Sequence, residues 1–306
     1  MRRPPTEISR RFEIGLFCAC AASSSAQLVK AMPAVAVAVD FRNSLRVVMG
    51  LDQPLWKQFA LWLSRVLSGD LGVSIFTQVP VTQLLAQRLE PTLSIALVTM
   101  VLAVSLSVPL GTLAAYQAGR AVDRVVMVFA VLAFSAPVFL IGYLLIYGLA
   151  IQLGWFPVQG YVHLAEGVGP WLRSIALPCI NLALLYMALL TRMTRATVLE
   201  VLQEDYIRTA RAKGLAVPAV LLHALRNAAV PIATTVGVGL ALLLGGVVVT
   251  ETVFAIPGVG RLVIDSVQRH DYPVIQSVLL VSAGVYVLIN LLIDLSYGLL
   301  DPRIRY

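Results

Sequence analysis

The densest group of side chains that could do chemistry lies between residues 191 and 227. Its charged members are Arg192, Arg195, Glu200, Glu204, Asp205, Arg208, Arg211 and Lys213. They fall within about six helical turns. Gly214 and Pro218 are expected to end that helix, and a second segment follows through His223 and Arg226. Such a polar helix suits docking into a groove of a peripheral protein, or it is simply a solvated charged loop; composition leaves both interpretations open.

The chain lacks a recognisable nucleotide site of its own. A phosphate-binding loop needs Gly-Lys followed by Ser or Thr. The lysines are Lys30, Lys57 and Lys213, and none has glycine before it or Ser or Thr after it. Asp and Glu are absent from the middle of the long apolar segments, so paired acid and base carboxylates are not expected either. If the protein uses ATP, hydrolysis belongs to a partner, and the chain itself is not an enzyme.

Cysteine and histidine offer little further chemistry. Cys18, Cys20 and Cys179 are too few and too scattered for a disulfide framework. The three histidines, at positions 163, 223 and 270, are isolated from one another and from cysteine or carboxylate clusters with ligand spacing. We therefore expect no metal site and no cofactor.

The composition is that of an integral membrane protein. Hydrophobic residues make up 59% of the 306 residues and charged residues only 13%, against roughly 25% charged in soluble domains. The net charge is +7, but the basic residues are spaced between apolar runs, which favours membrane topology over nucleic-acid binding. The sequence predicts an all-α integral membrane protein, a helical bundle with five membrane spans and a weaker first one.

Five charge-free segments are long enough to span the membrane, which takes about 20 apolar helical residues. They are 91–119, a stretch that begins at Val125 and has no formal charge before Glu166, 174–191, 227–250 and 272–293. Pro109, Pro137 and Pro178 interrupt these segments and are expected to kink them.

The distribution of Lys and Arg predicts the orientation. Ten of these residues fall at the ends and loops that share one face, including the 191–227 loop and the tail from Asp301, and three fall in the short loops of the other face. Basic residues are retained on the cytoplasmic side. The 191–227 loop is therefore predicted to be cytoplasmic, and the loop before Asp271 external.

The sequence divides into three parts. Residues 1–49 are an atypical N-terminus, in which 14–29 is either a marginal first span or a segment resembling a signal peptide. Residues 50–90 are an external segment, where Leu55, Phe59 and Trp62 share one face of an amphipathic helix. Residues 91–306 are the transmembrane domain with the charged loop 191–227.

Two polar features of residues 91–306 have more than one interpretation. Asp294 lies four residues after Asn290, near the predicted cytoplasmic end, where water or a neighbouring helix would satisfy it. Pro257, Gly258 and Gly260 lie in the predicted external segment 252–271. These glycines either shape a gate or form a plain turn before an interfacial helix.

Several long segments resemble the permeases of binding-protein-dependent ABC transporters, in particular the oligopeptide and dipeptide (peptide/nickel) branch. The resemblance rests on DYIRTARAKGL at 205–215 and HALRNAAVP at 223–231. It extends to GLDQPL at 50–55, GDLGVS at 69–74, TETVFAIPGVGRL at 250–262 and NLLIDLSYGLLDPRIRY at 290–306. These segments occur in the family's order and cover the chain from about residue 50 onward.

The resemblance implies a multi-pass subunit of an importer in the bacterial inner membrane. It implies two ATP-binding subunits, a second homologous permease and an external solute-binding protein as partners. The short loop helix would be the coupling helix, which contacts the ATP-binding subunit through Tyr206, Arg208, Thr209, Ala210, Lys213 and Gly214. The broader superfamily has Glu-Ala-Ala where this chain has Arg208-Thr209-Ala210.

Peptides are the expected substrate, with glutathione and nickel complexes as alternatives. Two other classes of protein remain open on the residues alone. An ion-coupled carrier would show ionisable groups at mid-membrane and internal repeats. A membrane anchor for a peripheral complex would use the same basic loop without a transport pathway.

Overall fold

A computed structural model describes residues 54–300, without the side chains of residue 244 and residues 296–300. The possible first span at 14–29 and the tail 301–306 lie outside the described residues. The described chain is helical, as predicted. Its α-helices are α1 (Leu55–Leu67), α2 (Val81–Tyr116), α3 (Ala121–Ser135), α4 (Val138–Leu145), α5 (Val168–Val201), α6 (Asp205–Ala212), α7 (Val217–Val253), α8 (Val259–Arg269) and α9 (Tyr272–Leu300).

Helix α1 belongs to a compact unit that ends at Asp70 and is separate from the bundle. None of its side chains is buried. Phe59 and Trp62 contact each other, with ring centroids 6.0 Å apart, and Lys57 Nζ lies 5.5 Å from the Trp56 ring centroid. The amphipathic pattern therefore forms a helix with an exposed aromatic face, which keeps the prediction of an interfacial helix.

Four helices within residues 54–300 are long and apolar enough to cross a membrane. The candidate spans are Val81–Tyr116, Val168–Val201, Val217–Leu243 and Tyr272–Leu295. Helices α5, α7 and α9 contain the charge-free segments 174–191, 227–250 and 272–293 and extend beyond them, whereas α2 overlaps 91–119 but begins at Val81 and ends at Tyr116. Helices extend beyond the apolar segments because polar residues at a helix end stay in water while the backbone hydrogen bonds continue. The predicted all-α membrane fold is confirmed.

The predicted second span is broken instead of kinked. Helix α3 ends at Ser135, Pro137 precedes α4, and the two halves are bent by 101°. Proline lacks the N–H that would continue the hydrogen-bond ladder, which accounts for a break at this point. The second half continues from α4 as a π-helix, Ile146–Gln152. Helices α2 and α5, by contrast, run on through Pro109 and Pro178.

Helix α5 is the centre of the bundle and packs against α2, α3, α4 and α7. Close approach to α2 depends on Gly111, where an added Cβ would lie 2.7 Å from Thr194 Cβ and 2.8 Å from the Thr191 carbonyl oxygen. Helix α9 lies at the edge, and most of its side chains are exposed. Asp294 is among the exposed residues of α9.

Candidate functional site

The predicted coupling segment forms a short helix of its own, α6, between two long ones. The helix that carries Arg192 and Arg195 is α5, which ends at Val201, and α6 begins at Asp205. The chain leaves α6 through Gly214, whose φ of 78° lies in the left-handed region that glycine adopts readily. Pro218 does not end a helix as predicted; it stands in the first turn of α7, where its missing N–H costs nothing.

One buried side chain anchors α6. Ile207 is fully buried and packs in a cluster formed by the ends of α2 and α5 and the start of α7. The other members of that cluster are Ala115, Val198, Leu202, Val220, Ala224, Ala228 and Ile232. Burying an isoleucine side chain contributes about 1.5–3 kcal/mol, so this contact fixes which face of α6 points away from the bundle.

The residues predicted to contact an ATP-binding subunit lie on the outward side of α6. Tyr206, Arg208, Thr209, Lys213 and Gly214 are exposed, and Ala210 is half-buried. Five of the six predicted residues are thus exposed in α6 or directly after it, and we call these exposed residues the α6 surface.

Polar contacts on the α6 surface are local. Asn227 Nδ2 donates a hydrogen bond to the Tyr206 hydroxyl at 2.8 Å, which ties α6 to α7. Arg208 Nη1 lies 3.2 Å from Asp205 Oδ1, one turn away, in an exposed ion pair. Thr209 Oγ1 donates to the Asp205 carbonyl oxygen. Exposed pairs of this kind contribute little to stability, so Arg208 remains available to a partner.

A bidentate ion pair braces the bundle at the same end as α6. Arg195 Nε and Nη2 donate to the two carboxylate oxygens of Asp123, at 2.5 Å and 2.7 Å. The Gly119 N–H also donates to Asp123 Oδ2 at 2.9 Å. The pair joins α5 to the start of α3 and to the turn after α2, so the helices that support α6 are held together.

A buried carboxylate organises the opposite end of the bundle. Glu251, near the end of α7, is fully buried. Its Oε1 accepts a hydrogen bond from Thr92 Oγ1 on α2 at 2.6 Å, and its Oε2 accepts one from the Arg261 N–H at 2.9 Å. Glu251 therefore caps the start of α8, where free N–H groups and the helix dipole favour a negative charge.

The two glycines of the 250–262 segment are needed for this close approach. A Cβ on Gly258 would overlap the Glu251 carboxylate, and one on Gly260 would lie 2.7 Å from Val248 Cα. Neither glycine has a positive φ. Because they have no side chain, these glycines leave room for the Glu251 carboxylate and for the α7 backbone. Neither the gate nor the plain-turn interpretation predicted this role.

Two further networks fasten loops at this end. Ser74 Oγ donates to Asp271 Oδ2 at 2.5 Å, and the Ile75 N–H donates to Asp271 Oδ1 at 3.2 Å. Glu90 Oε1 accepts from the Tyr161 hydroxyl at 3.1 Å, and Glu90 Oε2 lies 2.9 Å from His163 Nδ1. Burial raises the pKa of the Tyr161 hydroxyl above its usual range, so it remains a donor.

Sequence reasoning missed Asp123, Thr92 and Glu251 as organising residues. Glu251 carried a signal, since it is an acidic residue directly after an apolar run and seven residues before the first of two closely spaced glycines. Thr92 and Asp123 carried none, because their partners lie 159 and 72 residues away in sequence.

Comparison with known proteins identifies the family. Residues 107–306 match the family described as binding-protein-dependent transport system inner membrane component. A curated relative, the probable peptide ABC transporter permease protein y4tP of Sinorhizobium fredii, is 53% identical over 86% of this chain and 84% of its own length. The chain belongs to this family. It is a multi-pass permease of the inner membrane, and the resemblance inferred from its sequence motifs is confirmed.

Other relatives of this permease have related names. The glutathione transport system permease protein GsiC of Escherichia coli is 43% identical over 86% of this chain and 83% of its own length. The dipeptide transport system permease protein DppB of Escherichia coli K12 is 38% identical over 84% of this chain and 83% of its own length.

The fold also matches a solved transporter. A chain of the MetNI methionine ABC transporter, in an inward-facing conformation, aligns with a TM-score of 0.60 over 72% of this permease and 97% of that chain. The sequence identity is 17%, so this likeness speaks for the fold alone. An ABC importer permease bundle is therefore the architecture of the described residues.

Proposed function

We propose that this permease moves peptides across the bacterial inner membrane with energy from ATP hydrolysed on separate subunits. Its partners would be two ATP-binding subunits, a second homologous permease and an external solute-binding protein. The names of the peptide and dipeptide relatives support the substrate class. Glutathione is the second candidate, favoured by the relative named for it, and it is itself a small peptide.

The observation that carries the proposal is the α6 surface. Helix α6 is exposed and charged, yet Ile207 anchors it to the ends of both α5 and α7. A partner that pushes on α6 therefore moves two spans. This is the arrangement that alternating access requires, because rigid rearrangement of packed helices transmits a local shift over the length of the bundle.

The proposed contacts with the ATP-binding subunit are Tyr206, Arg208, Thr209, Ala210, Lys213 and Gly214. Arg208 in α6 and Lys213 directly after it are both exposed and offer positive charge. The Arg208-Thr209-Ala210 triplet takes the place of the superfamily's Glu-Ala-Ala. An acidic or carbonyl-rich cleft on the ATP-binding subunit would complement it.

The first experiment is co-purification followed by uptake. The permease, purified from its native membrane, should bring an ATP-binding subunit with it, and proteoliposomes containing the complex should take up dipeptides only with ATP and the binding protein. Competition between a dipeptide and glutathione separates the two substrate candidates. A complex without an ATP-binding subunit would contradict the importer proposal.

The second experiment tests the turn after α6. Gly214→Pro cannot adopt the left-handed φ and loses the N–H that donates to the Arg211 carbonyl oxygen at 3.0 Å. We expect it to abolish coupling between ATP hydrolysis and uptake while the protein still inserts into the membrane. Gly214→Asn is the matched control, because asparagine tolerates this conformation. Unchanged coupled uptake in Gly214→Pro would reject the assignment.

The proposed orientation has its own test. Cysteines placed at Arg208 and at Gln268, both exposed and at opposite ends of the bundle, should react with an impermeant thiol reagent from opposite sides of the membrane. Labelling of both from outside intact cells would overturn the cytoplasmic placement of α6.

A further inference from the structure

The Glu251 carboxylate joins three separate elements at one point. It belongs to α7, accepts a hydrogen bond from Thr92 of α2, and accepts one from the backbone N–H of Arg261 in the first turn of α8. Thr92 closes the connection, because its Oγ1 also accepts a hydrogen bond from the Val259 N–H at 2.8 Å.

Separation of α8 from α2 would be costly at this point. It would leave the Val259 N–H without its acceptor on Thr92. If α8 also left α7, the buried Glu251 carboxylate would lose the Arg261 N–H, and buried polar groups without partners are strongly unfavourable. Apolar packing acts in the same direction, since Val259 and Leu262 of α8 pack in one buried cluster with Val81 and Leu85 of α2. A Cβ on Gly258 would overlap the Glu251 carboxylate, so the glycine lets the start of α8 pack directly against it.

We propose that Glu251 and Thr92 are positioning residues that fix α8 to α2 and α7 throughout the transport cycle. Helix α8 is then a fixed wall, not a moving gate, and rearrangement at this end of the bundle takes place between other elements. The inference about the cycle rests on the proposed ATP-driven function; the inference that Thr92 holds α8 does not.

Amide hydrogen exchange tests both parts, because it reports local opening at individual N–H groups. In the assembled transporter, the Val259 and Arg261 amides should exchange at the same rate, within about twofold, with and without ATP. Peptides covering the α6 surface should change their exchange with ATP and serve as the positive control. Faster exchange of Val259 and Arg261 on addition of ATP would overturn the fixed-wall proposal.

A matched pair of variants tests the hydrogen bonds themselves in the permease alone. Thr92→Val keeps the shape of the side chain but removes the hydroxyl, and should speed exchange of the Val259 and Arg261 amides by about tenfold or more. Thr92→Ser keeps the hydroxyl and should restore slow exchange. Equal exchange rates in the two variants would contradict the positioning role. In the assembled transporter of the first experiment, α6 peptides whose exchange does not respond to ATP would instead count against the proposed function.

Discussion

The two ends of the helical bundle each hold a short helix, but they hold it with different interactions. At the α6 end, charged side chains are exposed, and one buried isoleucine holds a short helix to its neighbours. At the α8 end, a short helix of similar kind is held by a buried carboxylate, a threonine hydroxyl and two glycines that allow close approach.

This difference indicates that α6 is suited to move with a partner and that α8 is suited to stay in place. An apolar anchor such as Ile207 is non-directional and lets α6 shift slightly while it remains buried. Hydrogen bonds to Glu251 have fixed distances and angles, and a small displacement leaves buried polar atoms without partners. The comparison predicts that variants at the α8 end act on stability, and variants at the α6 end act on coupling.

The largest effect is expected from Glu251→Ala. It removes the acceptor of the Thr92 hydroxyl and of the Arg261 N–H and leaves a cavity. The free energy of unfolding should fall by about 3 kcal/mol. Thermal unfolding of the purified permease in detergent measures this effect. Glu251→Gln, which keeps the shape and one carbonyl oxygen, should have a smaller effect. A melting temperature for Glu251→Ala within about 1 °C of the wild type would contradict the claim that the α8 end determines stability.

Ile207→Ala should release α6 without unfolding the bundle. The lost burial favours local opening of α6, and tryptic cleavage at the exposed Arg208 and Arg211 should become at least about tenfold faster. Ile207→Val, which removes one methylene, is the control and should change the rate far less. If Ile207→Ala instead lowered the melting temperature as much as Glu251→Ala, the two ends would contribute equally to stability, which would contradict the comparison.

Arg208→Ala should have the smallest effect on stability and still reduce transport. The ion pair with Asp205 is exposed on both sides, so we expect no measurable change in melting temperature. ATP-driven uptake should fall several-fold because a contact with the ATP-binding subunit is lost. Arg269→Ala, an exposed charge at the other end of the bundle, should leave uptake unchanged. Equal uptake in both variants would remove Arg208 from the proposed contacts.

The long helices were predictable because their signal is local. An apolar segment such as 174–191 has to be helical in lipid, where backbone groups find no other partners. The place of the bend at Pro137 was predictable, because proline breaks the hydrogen-bond ladder at a known position. Its angle was not, because the angle depends on what the two halves pack against. The reversed role of Pro218 has the same origin: proline stops one helix or starts the next, according to where the backbone turns.

The sequence by itself determined the membrane class, the family and the position of the charged loop, because composition, hydrophobic segments and contiguous motifs are all properties of neighbouring residues. Only the tertiary structure decided that Ile207 anchors α6, that Arg195 pairs with Asp123 and that Thr92 meets Glu251. These contacts join residues far apart in the chain, and their energies come from burial and geometry that exist only once the helices have packed.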